Sequence, residues 1–417
     1  MSNILKIVSV CVVVLTFFIC ATVFWVNYTS NSQTVASYST DIMQERGKLI
    51  SYEKVNTVTR DVVLTLFPET VDFDGDLSEL AKYDIELYKI VYQTIYCDDI
   101  VNASGLIVVP KKEGALSHVQ YHHGTLFPYP KEKNGNLDAP SLYDGTYVEK
   151  QQVESRVFAN FLPSHGYLMS LPDYIGYGES SDLEHPYSVN SELAKESVDM
   201  ILATRAFVQA IEVETNDNLF LTGWSEGGAI SVATQKLIET EYKESIKVTA
   251  NAPLSGLYNL HFYSKLLTLA FPFLNEGRED GLDFFMWALY GINRYGVGTP
   301  VDGVFKYDVK NQLDVLTNRP STLPSELINL VFWQRAKLLQ KFEDNSLVDG
   351  WTATAPLYIH HGTADDTVYF DYNAEVFVDK QNKRGANTKL FKYEGHNHES
   401  LLELFTLNMV KQFDSHE

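Results

Sequence analysis

A serine between two glycines follows an apolar run in residues 219–228, which read LFLTGWSEGG. The run itself predicts a buried strand, and apolar residues at helical spacing over 227–240 predict a helix directly after it. A G-x-S-x-G segment in this context turns sharply from strand to helix and exposes one side chain at the end of the strand. Gly223 and Gly227 allow the backbones to pass closely, so Ser225 is predicted at a strained apex. A chain with this turn needs a sheet and a helix packed against it.

Two later segments contain groups that could activate this serine. The stretch PLYIHHGTADDTV predicts a buried strand followed by a turn with Asp365 and Asp366. The stretch TKLFKYEGHNH predicts another strand, which ends in a loop with His396 and His398. A serine hydroxyl becomes a nucleophile when an imidazole takes its proton and a carboxylate orients that imidazole. The order Ser, Asp, His along the chain therefore predicts a catalytic triad at Ser225.

From about residue 86 to its end, the chain resembles the α/β-hydrolase superfamily, and within it the bacterial lipases and esterases of the secretory-lipase type. Besides the serine turn, three segments carry the resemblance: YHHGT at 121–125, PDYIGYGES at 172–180 and HGTADDTV at 361–368. The resemblance implies that residues 173–180 form a loop near the site. The same loop could equally be a glycine-rich turn without a chemical role.

The resemblance also ranks the candidate acids. In the family the catalytic acid lies in a G-x-x-D-x-x-V turn, and Gly362, Asp365 and Val368 fit this spacing. Asp365 is therefore the expected acid, and Asp366 is its solvated neighbour and the alternative.

The catalytic base has two candidates in the segment YEGHNH. Many family members read Y-E-G-x-x-H at this strand end, which selects His398. Others place the base directly after the glycine, which selects His396. We favour His398 and keep His396 as the alternative.

The resemblance further implies an oxyanion hole made of two backbone N–H groups. One belongs to the residue after the nucleophile, which is Glu226. The other belongs to the residue that follows His-Gly after an earlier strand, which is Thr125.

The alternation of strand and helix patterns indicates an α/β fold with a mostly parallel central sheet. The resemblance implies that this is the α/β-hydrolase fold, with helices on both faces of the sheet. Strands are predicted near 167–171, 219–222, 247–252, 357–360 and 388–393. Two further strands, at Tyr88–Tyr96 and Gly105–Val109, are predicted to be joined by a polar turn at 98–102. An insertion at about 257–350 is rich in aromatic residues and leucine, and the resemblance implies that it forms a helical cap or lid. Its apolar residues could line an acyl pocket, or simply form the core of the cap.

The segment Ile4–Val26 is apolar apart from one lysine and is long enough to span a membrane. It ends in bulky residues without a clear cleavage site, so we favour an uncleaved signal anchor over a cleaved signal peptide. We therefore divide the chain into the anchor or signal peptide at 1–26, a polar tether at 27–50 and a catalytic domain at 51–417. Either interpretation places the catalytic part outside the cytoplasm, membrane-anchored or released.

Composition argues against some partners. The 33 basic and 54 acidic residues give a net charge of −21, which disfavours nucleic acid and anionic lipid. Clustered histidines could bind zinc, and three close pairs occur: His122/His123, His360/His361 and His396/His398. However, no cysteine ligands accompany them and H-E-x-x-H is missing, so we predict neither a metal ion nor another cofactor.

These observations predict a serine carboxylic ester hydrolase that acts on small-molecule or lipid esters. A serine peptidase of the prolyl-oligopeptidase type shares the triad, but no propeller-like repeat precedes the hydrolase part here. A non-catalytic hydrolase-like binding protein is the alternative from another class, although such proteins typically lose the serine or the histidine.

Overall fold

The central feature of the molecule is one sheet, whose strands come from most of the chain. The computed structural model describes residues 45–65, 79–127, 138–146, 153–270, 282–305 and 332–417. The strands in these residues are β1 (Leu49–Val58), β2 (Ile85–Tyr96), β3 (Asp99–Pro110), β4 (Leu116–His122), β5 (Leu168–Pro172), β6 (Thr215–Trp224), β7 (Ala250–Leu254), β8 (Leu357–Gly362) and β9 (Thr388–Tyr393). They form a nine-stranded sheet in the order β1-β2-β3-β5-β4-β6-β7-β8-β9.

The sheet is mostly parallel, as predicted. The pairs β5–β4, β4–β6, β6–β7, β7–β8 and β8–β9 are parallel, whereas β1–β2, β2–β3 and β3–β5 are antiparallel. Parallel strands end at the same edge of a sheet. The segments after β4, β6 and β8 therefore leave the sheet on the same side, and this brings distant parts of the chain together.

Helices cover both faces of the sheet, again as predicted. They are α1 (Arg60–Thr65), α2 (Val153–His165), α3 (Asn190–Ala210), α4 (Glu226–Leu237), α5 (Leu260–Ala270), α6 (Leu282–Tyr295), α7 (Phe332–Asn345), α8 (Ala374–Lys383) and α9 (Leu402–Asp414). Strand β6 shows how helices pack on both faces, because neighbouring residues of a strand point to opposite faces of the sheet. Phe220 stacks on Phe413 of α9 with ring centroids 4.4 Å apart, while Leu219 and Leu221 join the cluster that contains Ile201 of α3.

The β2–β3 hairpin corrects one prediction. The polar residues at 98–102 were predicted as a turn, but β3 begins at Asp99, and Tyr96 pairs with Asp99. The turn consists of Cys97 and Asp98 alone, both at positive φ (49° and 70°), which is the two-residue geometry that suits strand twist. The polar residues misled the prediction because they form the exposed end of a strand.

The helices α5, α6 and α7 lie between β7 and β8, within the stretch predicted as a cap. Buried side chains of α6 and α7, including Trp287, Ile292 and Leu338, form an apolar cluster of their own. Tyr187 and Val189, from the segment before α3, belong to the same cluster. These helices are therefore packed together and attached to the segment that precedes α3. The division of the chain into anchor, tether and catalytic domain stays a prediction.

Arg46–Glu417 forms one compact unit. Its first strand, β1, begins at Leu49, within the segment predicted as a tether, and Arg46 forms a buried ion pair with Asp199 at 3.1 Å. The predicted anchor over 4–26 and the tether up to residue 44 lie outside the described residues. In the part of the chain that the structure describes, no helix has both the length and the apolar character needed to cross a membrane.

Candidate active site

Ser225 lies at the junction of β6 and α4, in the strained backbone that the motif predicts. Its φ of 57° and ψ of −116° are unfavourable for a residue with a side chain. A hydrogen bond helps to keep the backbone in this conformation, because the Ser225 N–H donates to Leu254 O (2.9 Å) in the neighbouring strand. A Cβ atom on Gly227 would lie 2.0 Å from His122 O, so only glycine fits where β4 passes the start of α4.

Three of the predicted site residues meet at this turn. The Ser225 hydroxyl donates to His398 Nε2 (2.9 Å), and His398 Nδ1 donates to Asp365 Oδ2 (2.8 Å). Ser225 is half-buried, whereas His398 and Asp365 are only 8% and 4% exposed. The imidazole thus bridges a partly accessible hydroxyl and a buried carboxylate, which is the arrangement that general-base activation of a serine requires.

The two alternative residues lie apart from this chain of hydrogen bonds. Asp366 is exposed, although it follows Asp365 directly. His396 is half-buried, and its Nδ1 lies 3.1 Å from Ser400 O in its own loop. In the described structure neither side chain has a hydrogen bond to Ser225, Asp365 or His398.

The Asp365 carboxylate is held by donors on both oxygens. Oδ1 accepts the backbone N–H groups of Thr367 (3.0 Å) and Val368 (2.8 Å). Oδ2 accepts from His398, and His361 Nε2 lies 3.1 Å from the same oxygen. Burial alone raises the pKa of Asp365, but the hydrogen bonds from His361 and His398 outweigh it and hold this pKa well below its usual range.

His361 is a site residue that sequence reasoning missed. Its Nε2 lies 2.7 Å from Val368 O, and since a carbonyl oxygen only accepts, this nitrogen carries the proton. The same N–H therefore faces both Val368 O and Asp365 Oδ2. The sequence contained a signal, because His361 lies four positions before the acid near the end of β8, but the sequence pattern marks it only as one member of a histidine pair.

Trp224 was likewise missed, although it directly precedes the serine. Its indole Nε1 donates to His398 O (3.1 Å), and its ring lies 5.3 Å from the imidazole ring. A Cβ atom on Gly124 would come within 2.8 Å of the same indole. Trp224 therefore contacts both the loop of His398 and the loop after β4.

The loop after β4 contains Thr125, one of the two predicted oxyanion donors. Among the described residues, neither the Thr125 N–H nor the Glu226 N–H has an acceptor. Neighbouring Gly124 N–H is engaged, because it donates to Glu154 Oε1 (3.3 Å).

The segment 173–180 packs against this loop, so it lies near the site. Tyr174 OH donates to His123 O (3.0 Å), and Tyr177 OH donates to Leu126 O. The His123 ring stacks on the Tyr174 ring at 4.0 Å. These contacts fix the backbone on both sides of Thr125.

The histidines of these pairs contact protein groups, and His361 and His398 both face Asp365 Oδ2. His122 Nδ1 lies 2.9 Å from Thr222 O, and burial lowers the pKa of this imidazole to about 3. His360 lies between Tyr393 OH (2.7 Å) and Gln412 Oε1 (3.0 Å). Within the described ranges, no three His, Cys, Asp or Glu side chains are grouped so that they could hold a metal ion.

Solved structures with this arrangement of strands and helices are known. A provisionally assigned hydrolase of Legionella pneumophila is 22% identical with a TM-score of 0.69, and the match covers 89% of this chain and 98% of the other. LipA, a rice cell wall degrading esterase of Xanthomonas oryzae, is 21% identical with a TM-score of 0.65. The match covers 89% of this chain and 96% of LipA. The chain has the α/β-hydrolase fold. This confirms the fold that the sequence resemblance implied.

The α/β-hydrolase fold here is also similar to that of Candida antarctica lipase A in its closed state. That structure is 17% identical with a TM-score of 0.62, and the match covers 90% of this chain and 84% of the other. No protein-family model matches the chain, and no curated protein matches it. At these identities the likeness concerns the α/β-hydrolase fold, and the chemistry has to be argued from the site itself.

Proposed function

We propose that this protein is a serine carboxylic ester hydrolase. The observation that carries the proposal is the His398 imidazole, which lies 2.9 Å from the Ser225 hydroxyl and 2.8 Å from the Asp365 carboxylate. The same strand-to-helix turn directs the first N–H groups of α4 toward the serine, where negative charge would develop. Two of the similar structures are an esterase and a lipase, and this likeness favours the same class of ester hydrolase.

The reaction follows from these positions. His398 Nε2 takes the proton of Ser225 as its oxygen attacks an ester carbonyl, and the N–H groups of Thr125 and Glu226 stabilise the oxyanion. His398 then protonates the leaving alcohol, which leaves an acyl group on Ser225. Water activated by the same histidine releases the acid and restores the serine. Asp365 stabilises the imidazolium of His398 that forms in each of the two steps.

The decisive experiment compares the wild-type protein with Ser225→Ala on a series of p-nitrophenyl esters and aminoacyl amides. Loss of the nucleophile should reduce ester turnover by about 10⁴-fold to 10⁶-fold while the protein stays folded. A folded Ser225→Ala protein that keeps most of its activity would disprove the mechanism. Preference for aminoacyl amides over esters would show a serine peptidase instead. Failure of the wild-type protein to react with a fluorophosphonate probe would indicate a non-catalytic binding protein.

We further propose that the enzyme works outside the cytoplasm, attached to a membrane through Ile4–Val26. The support is the length and apolar character of this segment and the aromatic residues at its end. N-terminal sequencing of the natural protein tests the attachment. A mature N-terminus between about residues 20 and 40 would instead show a cleaved signal peptide and a released enzyme.

A further inference from the structure

A buried pair of side chains lies directly beside the proposed nucleophile. Glu226 is the residue after Ser225 and the first residue of α4, and its Oε1 lies 3.0 Å from His185 Nε2. The side chains of His185 and Glu226 are 2% and 4% exposed, so water does not screen the contact. The triad mechanism does not use either side chain.

The hydrogen bonds determine how many protons the pair holds. His185 Nδ1 lies 2.7 Å from Ile175 O, and because a carbonyl oxygen only accepts, Nδ1 carries a proton. The contact between His185 Nε2 and Glu226 Oε1 needs one further proton, which resides on either atom. In both arrangements the pair has a net charge of zero, and without that proton it has a charge of −1.

The sign of this charge matters because of where Glu226 lies. A carboxylate in the first turn of a helix interacts favourably with the helix N-terminus. The oxyanion that forms on the substrate carbonyl oxygen when Ser225 attacks would use the same field, together with the Glu226 N–H. An uncompensated Glu226 carboxylate would therefore repel the oxyanion and compete with it for the same positive potential.

The surroundings make His185 well suited to compensate this carboxylate. The rings packed around the imidazole are aromatic: those of Tyr174, Tyr177, Tyr187 and Trp287 have centroids 5.9, 5.1, 6.2 and 5.5 Å away. Such an environment stabilises a neutral pair far better than a lone carboxylate.

We infer that His185 is a positioning residue for the proposed ester hydrolysis. It fixes the Glu226 side chain and supplies the proton that keeps this carboxylate from opposing the oxyanion of the intermediate bonded to Ser225. The inference rests on the proposed function, because it concerns the transition state of that reaction. It predicts a defect in turnover rather than in substrate binding, and a defect that depends on the charge of residue 226.

The test measures kcat and KM on a p-nitrophenyl ester for His185→Gln and for the double variant His185→Gln/Glu226→Gln. Glutamine keeps hydrogen-bonding groups at position 185 but cannot carry the proton. We expect His185→Gln to lower kcat by about 10-fold to 100-fold with KM nearly unchanged. The double variant should recover most of this loss, because the amide at 226 has no charge to compensate.

The matched control is His165→Gln. His165 also lies beside a carboxylate, with Nε2 3.2 Å from Asp414, but at the far ends of α2 and α9. Its substitution should leave kcat within about 2-fold of the wild type, because it lies outside the site. An equal loss in His165→Gln and His185→Gln would reduce the effect to general destabilisation and overturn the inference.

Folding of each variant is checked by circular dichroism and thermal unfolding. If His185→Gln does not fold, the double variant is compared with Glu226→Gln alone. The inference then predicts that His185→Gln adds little to the effect of Glu226→Gln, whereas a large additional fall in kcat overturns it. Wild-type kcat in folded His185→Gln also overturns it. Activity that survives Ser225→Ala would instead reject the proposed function, so the two failures are distinguishable.

Discussion

At the scale of single residues, side chains of the same type that are close in sequence differ in their burial and in their hydrogen bonds. Asp365 is buried and accepts two backbone N–H groups and two imidazoles, whereas Asp366 is exposed beside it. His398 bridges Ser225 and Asp365, while two positions earlier the His396 side chain lies 3.1 Å from Ser400 O in its own loop. Substitutions at these two pairs therefore provide matched comparisons in which residue type and region stay the same.

We predict that His398→Ala reduces kcat/KM for an ester by about 10⁴-fold or more, because Ser225 loses its base. His396→Ala should cost less than about 3-fold. Asp365→Asn should likewise impair turnover by orders of magnitude, and Asp366→Asn should be nearly silent. The measurement is steady-state kinetics on purified, folded variants. A reversed order of severity within either pair would contradict the proposed triad.

A second prediction concerns His361 and acid stability. The pKa of Asp365 is lowered in the folded protein, so this carboxylate contributes stability above its unfolded pKa of about 4. That stability is lost as the pH falls through the lowered pKa. His361→Phe removes one donor and raises this pKa, so acid unfolding should begin at a higher pH than in the wild type.

The control for this prediction is His361→Gln, whose amide can still donate to Asp365 and should restore most of the acid resistance. Acid unfolding is followed by tryptophan fluorescence between pH 7 and 2. Identical midpoints for wild type and His361→Phe would show that His361 does not stabilise the carboxylate.

At the scale of elements, helix α6 is packed against the residues around the proposed oxyanion hole. Trp287 of α6 stacks on Tyr187 with ring centroids 4.4 Å apart, and Tyr187 OH lies 3.2 Å from the Thr125 hydroxyl. Phe127, two residues after Thr125, packs on Phe284 of α6 at 4.7 Å. Helix α6 and the loop after β4 therefore support each other.

We predict that Trp287→Ala loosens α6 and lowers ester turnover while the sheet remains folded. Removal of a buried tryptophan side chain lowers the free energy of unfolding by about 3–5 kcal/mol. Trp287 belongs to an apolar cluster separate from the core between the sheet and α9, so the loss of stability should be confined to that cluster. Limited proteolysis should cut residues 282–305 faster, and kcat/KM should fall by about 10-fold. Phe413→Ala, in the α9 core, should instead lower the thermal unfolding temperature. Equal protease sensitivity of wild type and Trp287→Ala would contradict this.

At the scale of the whole molecule, β1 is the strand at one edge of the nine-stranded sheet. It pairs with β2 along Leu49–Val58, and Arg46 reaches the buried Asp199. We predict that a chain starting at Arg46 folds and hydrolyses esters like the full chain. A chain starting at Thr59 should unfold at lower temperature, because it exposes the edge of β2 and leaves a buried carboxylate unpaired. Equal thermal stability of the two shortened chains would refute this.

The parallel sheet and the grouping of Ser225, Asp365 and His398 could be predicted because local patterns encode them. The turn at Ser225 and the strands before Asp365 and His398 are continuous segments with strong signals. Strand β1 could not be predicted, since seven of its ten residues are exposed and show no alternation. His185 and Glu154 also escaped prediction, because they reach partners 41 and 30 positions away and no short motif encodes such a contact.

The distance along the chain between the reacting groups has a consequence for refolding. Ser225 and His398 are 173 positions apart, and they meet only when β7, β8 and β9 have added to β6. Such non-local pairing is slow, because the entropy of closing a long loop is lost before the contacts form. After dilution from denaturant, regain of secondary structure should precede regain of fluorophosphonate labelling. Labelling of Ser225 would then report when the last stage of folding is complete. A kinetically trapped chain would have secondary structure but would not be labelled at Ser225.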